Sequence, residues 1–161
     1  MGYIMDLRKI VGARPLIMAG ACVLLIDSQD RILLQLRTDN GTWGLPGGSL
    51  EPGESMESVA RRELLEEVGL TAGDMSLLDI FSGEKFYYKY PHGDEVYNVI
   101  AAYVCRDYQG DIRIDEGEVQ ETKFFSLHDL PELINPPDQP ILQTYMDLQG
   151  RRVETIGDQV G

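Results

Sequence analysis

The sequence predicts an α+β fold in which helices cover a central mixed β-sheet. Three observations carry that prediction. The coarse order of periodic segments is strand, strand, helix, strands, helix. A glycine-rich stretch leads directly into a helical segment free of glycine and proline. The 161 residues are 43% hydrophobic and 25% charged, which suits one folded domain over 1–161 with a core of its own.

The elements follow in order. Residues 1–14 form an N-terminal arm or short helix, with Ile4, Leu7, Ile10 and Val11 at helical spacing and Gly12 as its stop. Leu16 to Ile26 is a buried strand. Asp27 to Asp30 is a turn, and Arg31 to Arg37 returns as the second strand of a hairpin. Thr38 to Gly53 carries five glycines and two prolines around Trp43 and Leu45, so it is a structured loop. Ser55 to Val68 is a helix closed by Gly69 at its C′ position. Met75 to Lys89 and Glu95 to Arg106 are strands about the turn at 91–94. Thr122 to Ser126 is a short strand, 131–134 is short and helical or irregular, and Pro140 to Leu148 is a C-terminal helix. Residues 150–161 read as a polar, frayed tail.

Charge narrows the function classes. Fourteen basic residues stand against 27 acidic ones, a net charge of −13. A binder of nucleic-acid backbone needs a basic stripe, so stable nucleic-acid binding is not expected. The longest apolar run, Ala19 to Ile26, is strand length and far short of the roughly 20 residues that span a bilayer. The first residues show no secretory pattern, and Cys22 and Cys105 lie in apolar runs without zinc-site spacing. A cytoplasmic protein without zinc is the expectation.

The helix Ser55–Val68 holds the chemistry. Taking Met56 as the origin, Ala60, Leu64, Val68 and Leu65 fall at about 40°, 80°, 120° and 180° on the wheel and are expected to face the core. Glu63 and Glu67 fall at about −20° and 20°, Glu66 at about −80° and Arg62 at about −120°. Three carboxylates therefore crowd the edge of the buried stripe, and like charges at i,i+4 destabilise a helix. Glu66 and Glu67 also sit in the last turn, where the macrodipole disfavours anions. A solvated acidic face is the bland explanation. A hard divalent cation, shared with carbonyls from the glycine loop, is the functional one, because oxygen ligands of this kind suit Mg²⁺ or Mn²⁺.

Gly48, Glu54 and the run Arg62-Glu63-Leu64-Leu65-Glu66-Glu67-Val68-Gly69-Leu70 resemble the Nudix box at every defined position over 23 residues. Trp43 to Gly48 resembles the approach to that box, and a looser likeness runs from Leu16 to Leu130. The resemblance to this MutT-like hydrolase family implies a Nudix-type α/β/α sandwich. It also implies hydrolysis of a nucleoside diphosphate linked to a further moiety X, with Mg²⁺ or Mn²⁺ as cofactor. By the same resemblance the Gly48 carbonyl, Glu63 and Glu67 are metal ligands, and Glu66 is a ligand or a hydrogen-bond acceptor behind them. Arg62 orients a glutamate, while Glu54 and Gly69 hold the geometry of the box. The proton acceptor is Glu63 or one of Asp115, Glu116, Glu118 and Glu121, with Glu118 favoured. Arg37 is a candidate phosphate contact. Tyr87 and Tyr88 fall where family members acting on dinucleoside polyphosphates tend to carry a tyrosine. The proline typical of members acting on ADP-ribose is absent, Lys85 and Phe86 standing there instead.

A nucleotide-like small molecule is the expected substrate, with dinucleoside polyphosphates slightly ahead of nucleoside triphosphates, nucleotide sugars and ADP-ribose. A non-catalytic nucleotide sensor is the alternative from another class; such a protein would be expected to lack one of the box glutamates. Trp43 is expected to anchor its loop, and His92 and His128 to lie on the surface. A homodimer through the apolar N-terminal arm stands beside the arm's packing on its own domain.

Overall fold

A computed structural model describes the backbone of residues 2–160 and the side chains of residues 2–150. The elements are α1 (Tyr3–Val11), β1 (Leu16–Leu25), β2 (Ile32–Arg37), β3 (Trp43–Gly44), β4 (Gly47–Ser49), α2 (Met56–Val68), β5 (Thr71–Ala72), β6 (Met75–Phe81), a 3₁₀ turn (Glu84–Phe86), β7 (Tyr87–Lys89), β8 (Glu95–Cys105), β9 (Tyr108–Gln109), β10 (Val119–Phe125) and α3 (Asp138–Val160). No helix among the described residues is long and apolar enough to cross a membrane.

The expected α+β architecture is present, with a mixed sheet at its centre. Its order is β4-β1-β8-β6, with β7 also on β8. β1 runs parallel to β8, while β4, β6 and β7 run antiparallel to their partners. The period-2 alternation of β1 divides the core. Ala21, Val23 and Leu25 pack with Val59, Ala60, Leu64 and Val68 of α2. Cys22, Leu24 and Ile26 pack with Ile141, Leu142 and Tyr145 of α3. The sheet is thus sandwiched between helices.

The hairpin expected of β1 and β2 is not formed. β1 is engaged by β8 on one edge and β4 on the other, so β2 packs against it in the core but is joined to its end by a single bridge, Ile26–Ile32. β2 instead centres a second sheet, β10-β2-β3. The single strand expected over Met75 to Lys89 is broken. Gly83 adopts φ 103° and opens the 3₁₀ turn, which buries Phe86 against Phe81 with ring centroids 5.6 Å apart. The tail expected to fray after Gly150 continues as α3 to Val160; propagating a helix adds one bond for each residue fixed. The arm at the N-terminus is helical and lies on its own domain. Arg8 is buried, donates to the backbone of Gly12, Arg14 and Glu95, and pairs with Asp94 at 3.6 Å.

The catalytic helix candidate, α2, is capped at both ends. Ser55 accepts from Ser58 N at 3.1 Å, and Gly69 takes the left-handed conformation at φ 84° with its N–H on Leu65 O. Leu65 departs from the expected core stripe: it is 53% exposed, while Val59 takes its place inside. The buried arc runs from Val59 to Val68 and leaves Leu65 on the far side of the wheel. Beyond α2 the segment 110–118 folds back over its end. Arg113 N donates to Val68 O at 2.6 Å and Asp115 N to Glu67 O at 3.1 Å.

Gly69 couples this cap to the returning segment, since a Cβ there would lie 3.0 Å from Arg113 N. Gly69→Ala is expected to destabilise the protein by about 1–3 kcal/mol, the cost of a forced left-handed residue with a crowded neighbour. Urea unfolding at equilibrium measures it.

Candidate active site

Three segments meet to form the site. β4 lies against β1, with Gly48 opposite Ala21 and Ser49 opposite Gly20. A Cβ on Gly20 would lie under 3.0 Å from Gly48 O, and one on Gly48 would collide with the Glu63 carboxylate. Glycine at 20 and 48 therefore lets the loop carbonyl and the helix carboxylate approach one another. Segment 115–118 closes the other wall, held by Thr38, whose N–H donates to Glu118 O at 3.1 Å and whose hydroxyl donates to Gly117 O at 3.0 Å.

The glutamates of α2 differ in their surroundings. Glu67 projects from the middle of the buried arc and is 5% exposed. It accepts from Gln35 Nε2 at 2.6 Å and from Gly47 N at 3.3 Å. Burial pushes its carboxyl well above the ordinary glutamate range, and the adjacent Glu63 adds to the effect. Burial also raises Glu63, which lies within hydrogen-bonding reach of Glu67. Glu66 is 56% exposed at its side chain and meets the flank of Arg62 at 3.3 Å.

Arg62 organises the group. It grips Glu54 with two parallel bonds of 2.7 and 2.9 Å, donates to Glu63 at 2.9 Å and reaches Ser49 O at 3.3 Å. Glu54 accepts in turn from Glu51 N at 2.9 Å, so the loop and the helix are latched together. These hydrogen bonds from Arg62 hold the Glu54 carboxyl below its ordinary value. Arg62 thus joins Glu54 of the loop to Glu63 of the helix.

Among the described residues no group of three His, Cys, Asp or Glu side chains is placed to hold a metal by itself. The chemistry of the smaller donor set nonetheless fits a hard divalent ion. The buried Glu67 carboxylate, the half-buried Glu63 carboxylate beside it and a backbone carbonyl are all oxygen donors, and Mg²⁺ commonly keeps several waters beside one or two carboxylates. A cation would also remove the like-charge repulsion between Glu63 and Glu67. Gln35 Oε1, buried without a partner, adds an unmet acceptor next to this pair.

The cleft is lined by Gln35, Arg37, Gly48, Glu63, Glu67 and Glu118 among others. Of the four acidic residues singled out between 115 and 121, Glu118 is the one on its wall. Arg37 faces the cleft with two of its five N–H donors taken by Asp39, at 2.9 and 2.8 Å. A second recess adjoins it, lined by Arg37, Tyr88, Asn98, Asn135 and Asp138. Tyr88 accepts from Asn40 Nδ2 at 2.7 Å, and the same amide donates to Asn135 Oδ1 at 3.0 Å. Asp138 accepts from Leu45 N at 3.1 Å and Asn135 Nδ2 at 3.3 Å, and burial pushes its carboxyl up to about 6. Tyr87 is not brought to the site. Strand alternation turns it outward, where its hydroxyl donates to Glu95 and its ring leans on Tyr97. Trp43 packs edge-on against Phe125 at 5.0 Å, in keeping with an anchor.

Sequence reasoning missed Gln35, Asn98, Asn135 and Asp138. The first two carried a signal, since each is a single polar residue inside an apolar strand. Asn135 and Asp138 carried none, because the pairing of Trp43 with residues 133–135 that delivers them is visible only in the fold.

The family model of the NUDIX domain matches residues 16–145. An ADP-ribose pyrophosphatase of Methanocaldococcus jannaschii is 33% identical over 125 residues, covering 76% of this chain and 69% of that protein. A Bacillus subtilis protein named provisionally as an 8-oxo-dGTP diphosphatase is 42% identical over 67 residues. That match covers 42% of this chain, and the chain spans only 45% of that relative's length. Among solved structures, a MutT NUDIX hydrolase from Burkholderia pseudomallei superposes with a TM-score of 0.68 at 25% identity, over 81% of this chain and 98% of its own.

The buried carboxyls make stability depend on pH with a definite sign. Glu63, Glu67 and Asp138 bind protons more tightly folded than unfolded, so raising the pH through and above their ordinary range destabilises the metal-free fold. In EDTA, Glu67→Gln is expected to be more stable than the parent at pH 8 and to show a shallower fall of stability above pH 5, in thermal melts across a pH series.

Proposed function

The chain belongs to the Nudix family of hydrolases, and from that premise we propose that it cleaves a phosphoanhydride bond of a single nucleotide, a nucleoside triphosphate, releasing pyrophosphate. The observation that carries this reading is the polar recess of Asn98, Asn135, Asp138 and Tyr88 opening directly beside the carboxylate cleft. Its amides and carboxyl offer donors and acceptors to one base edge, while Arg37 lines both recesses where phosphates would pass between them. The names of the relatives, which refer to 8-oxo-dGTP and ADP-ribose, agree with a nucleotide substrate. A dinucleoside polyphosphate is the second reading. Tyr88 in the recess favours it, and Tyr87, turned outward, gives it no support.

Glu63, Glu67 and the Gly48 carbonyl would hold Mg²⁺ or Mn²⁺, with Glu66 at the exposed rim as a further ligand or acceptor. Such an ion, when bound, lowers the pKa of water and neutralises phosphoryl oxygens. The residues do the rest. Arg62 fixes the Glu63 carboxylate by a charge-assisted hydrogen bond and ties it to the loop. Arg37 offers its remaining donors to the phosphates. Water adds to phosphorus, the bridging P–O bond breaks, and the proton of that water passes to a carboxylate. Glu118 suits this task, since it lies on the cleft wall outside the Arg62 network. We place the protein in the cytoplasm, and Tyr3, Met5 and Ile10, exposed on α1, would serve a homodimer contact.

The test is turnover with Mg²⁺ over a panel of nucleoside triphosphates, dinucleoside polyphosphates and ADP-ribose, with products separated by chromatography. A monophosphate and pyrophosphate from one triphosphate is the expected result. Two nucleotides from a dinucleoside polyphosphate would replace the first reading with the second. Glu67→Gln is expected to lower kcat by roughly 10²-fold or more. Asp138→Asn keeps an acceptor for Leu45 N and is expected to raise KM about tenfold with kcat little changed, as for a contact to the base.

A further inference from the structure

We infer that Gln35 is a positioning residue that holds Glu67 ready for a divalent cation. This rests on the reading of the cleft as a metal site. Gln35 sits on β2 at a position that is 4% exposed, in the run Ile-Leu-Leu-Gln-Leu-Arg. Leu33, two residues before it and on the same face, is packed in the core under α2. An amide at such a place is costly unless both its ends are used. One end is used: Nε2 donates to Glu67 Oε2 at 2.6 Å. The other is not, for Oε1 is buried without a partner, and Gln35 lines the cleft.

This pattern has a consistent meaning. An amide N–H favours the ionised carboxylate, so it counters the burial that disfavours charge on Glu67. Binding Oε2 through Gln35 and Gly47 N also fixes the plane of the carboxylate beside Glu63. The unmet carbonyl of Gln35 is an acceptor for a water in the cleft, the partner expected where a cation carries its own hydration. Partners of this kind orient metal ligands, and their loss commonly weakens metal affinity about 10–100-fold.

The experiment uses the full chain, without substrate, and Mn²⁺ as the probe. Free Mn²⁺ is followed by its electron paramagnetic resonance signal in titrations of the parent and Gln35→Met, alongside melts in EDTA. The expected result is a Kd raised about tenfold in Gln35→Met, with a metal-free melting temperature lowered modestly by the lost hydrogen bond to Glu67. An unchanged Kd overturns the inference, whether or not the melting temperature falls, since a merely structural amide would move only the melt. No Mn²⁺ binding by the parent overturns the metal reading itself. Should Gln35→Met not fold, Gln35→Asn, which keeps the amide but withdraws it by one methylene, is expected to weaken Mn²⁺ in the same direction, and an unchanged Kd there is equally fatal.

Discussion

Two carboxylates, Glu67 buried and Glu63 mostly covered at the cleft wall, face one another one turn apart on a helix. In isolation that contact opposes folding, because each charge is desolvated and each repels the other. Much of the surrounding structure answers it. Arg62 supplies a cation on one side and is itself held by Glu54, so the compensation is a latch anchored in the loop. Gln35 and Gly47 supply N–H donors on the other side. Leaving the pair half-compensated makes the site a strong acceptor for positive charge, and the cost is borne by the packing of α2 on β1.

That packing explains why the glycines fall where they do. β1 contributes side chains to both core layers, so it cannot bend away from β4 to make room. The room comes from absent side chains. Gly20 admits the Gly48 carbonyl, and Gly47, whose added Cβ would strike Ala21 O, lets β4 lie flush on β1. The loop backbone therefore reaches the helix carboxylates along a fixed strand. A loop held only by its own turns would place that carbonyl far less accurately.

The helix and its termini were legible in the sequence because their determinants are local. Ser55, Gly69 and the i,i+4 spacing of Glu63 and Glu67 act within a few residues of one another. Gly48, Arg62 and Glu54 were legible for a different reason, a pattern shared with a known family. What escaped depends on partners distant in the chain. The hairpin failed because β8, some seventy residues on, takes the edge of β1. Leu65 is apolar but lies on the far side of the wheel, so the buried arc admits Glu67 and excludes Leu65. Tyr87 and Tyr88 were adjacent candidates until the pleat sent them to opposite faces. Asp138 had no signal, since its burial is produced by the pairing of Trp43 with residues 133–135.

The acidic balance of the chain bears on the order of events in the cleft. A net charge of −13 repels phosphate at long range, and the cleft adds Glu63, Glu67 and Glu118 at short range. Arg37 faces the cleft but shares its charge with Asp39, and Arg62 spends its charge on Glu54 and Glu63. The cations on the walls are therefore already committed to carboxylates. Favourable binding of an anion then requires positive charge that arrives with the substrate or before it. Linkage makes the dependence mutual: if a divalent cation raises affinity for the nucleotide, the nucleotide raises affinity for the cation by the same factor. On the proposed reading, such a site would take metal complexes of nucleotides in preference to bare phosphates, because its carboxylate pair is only partly neutralised.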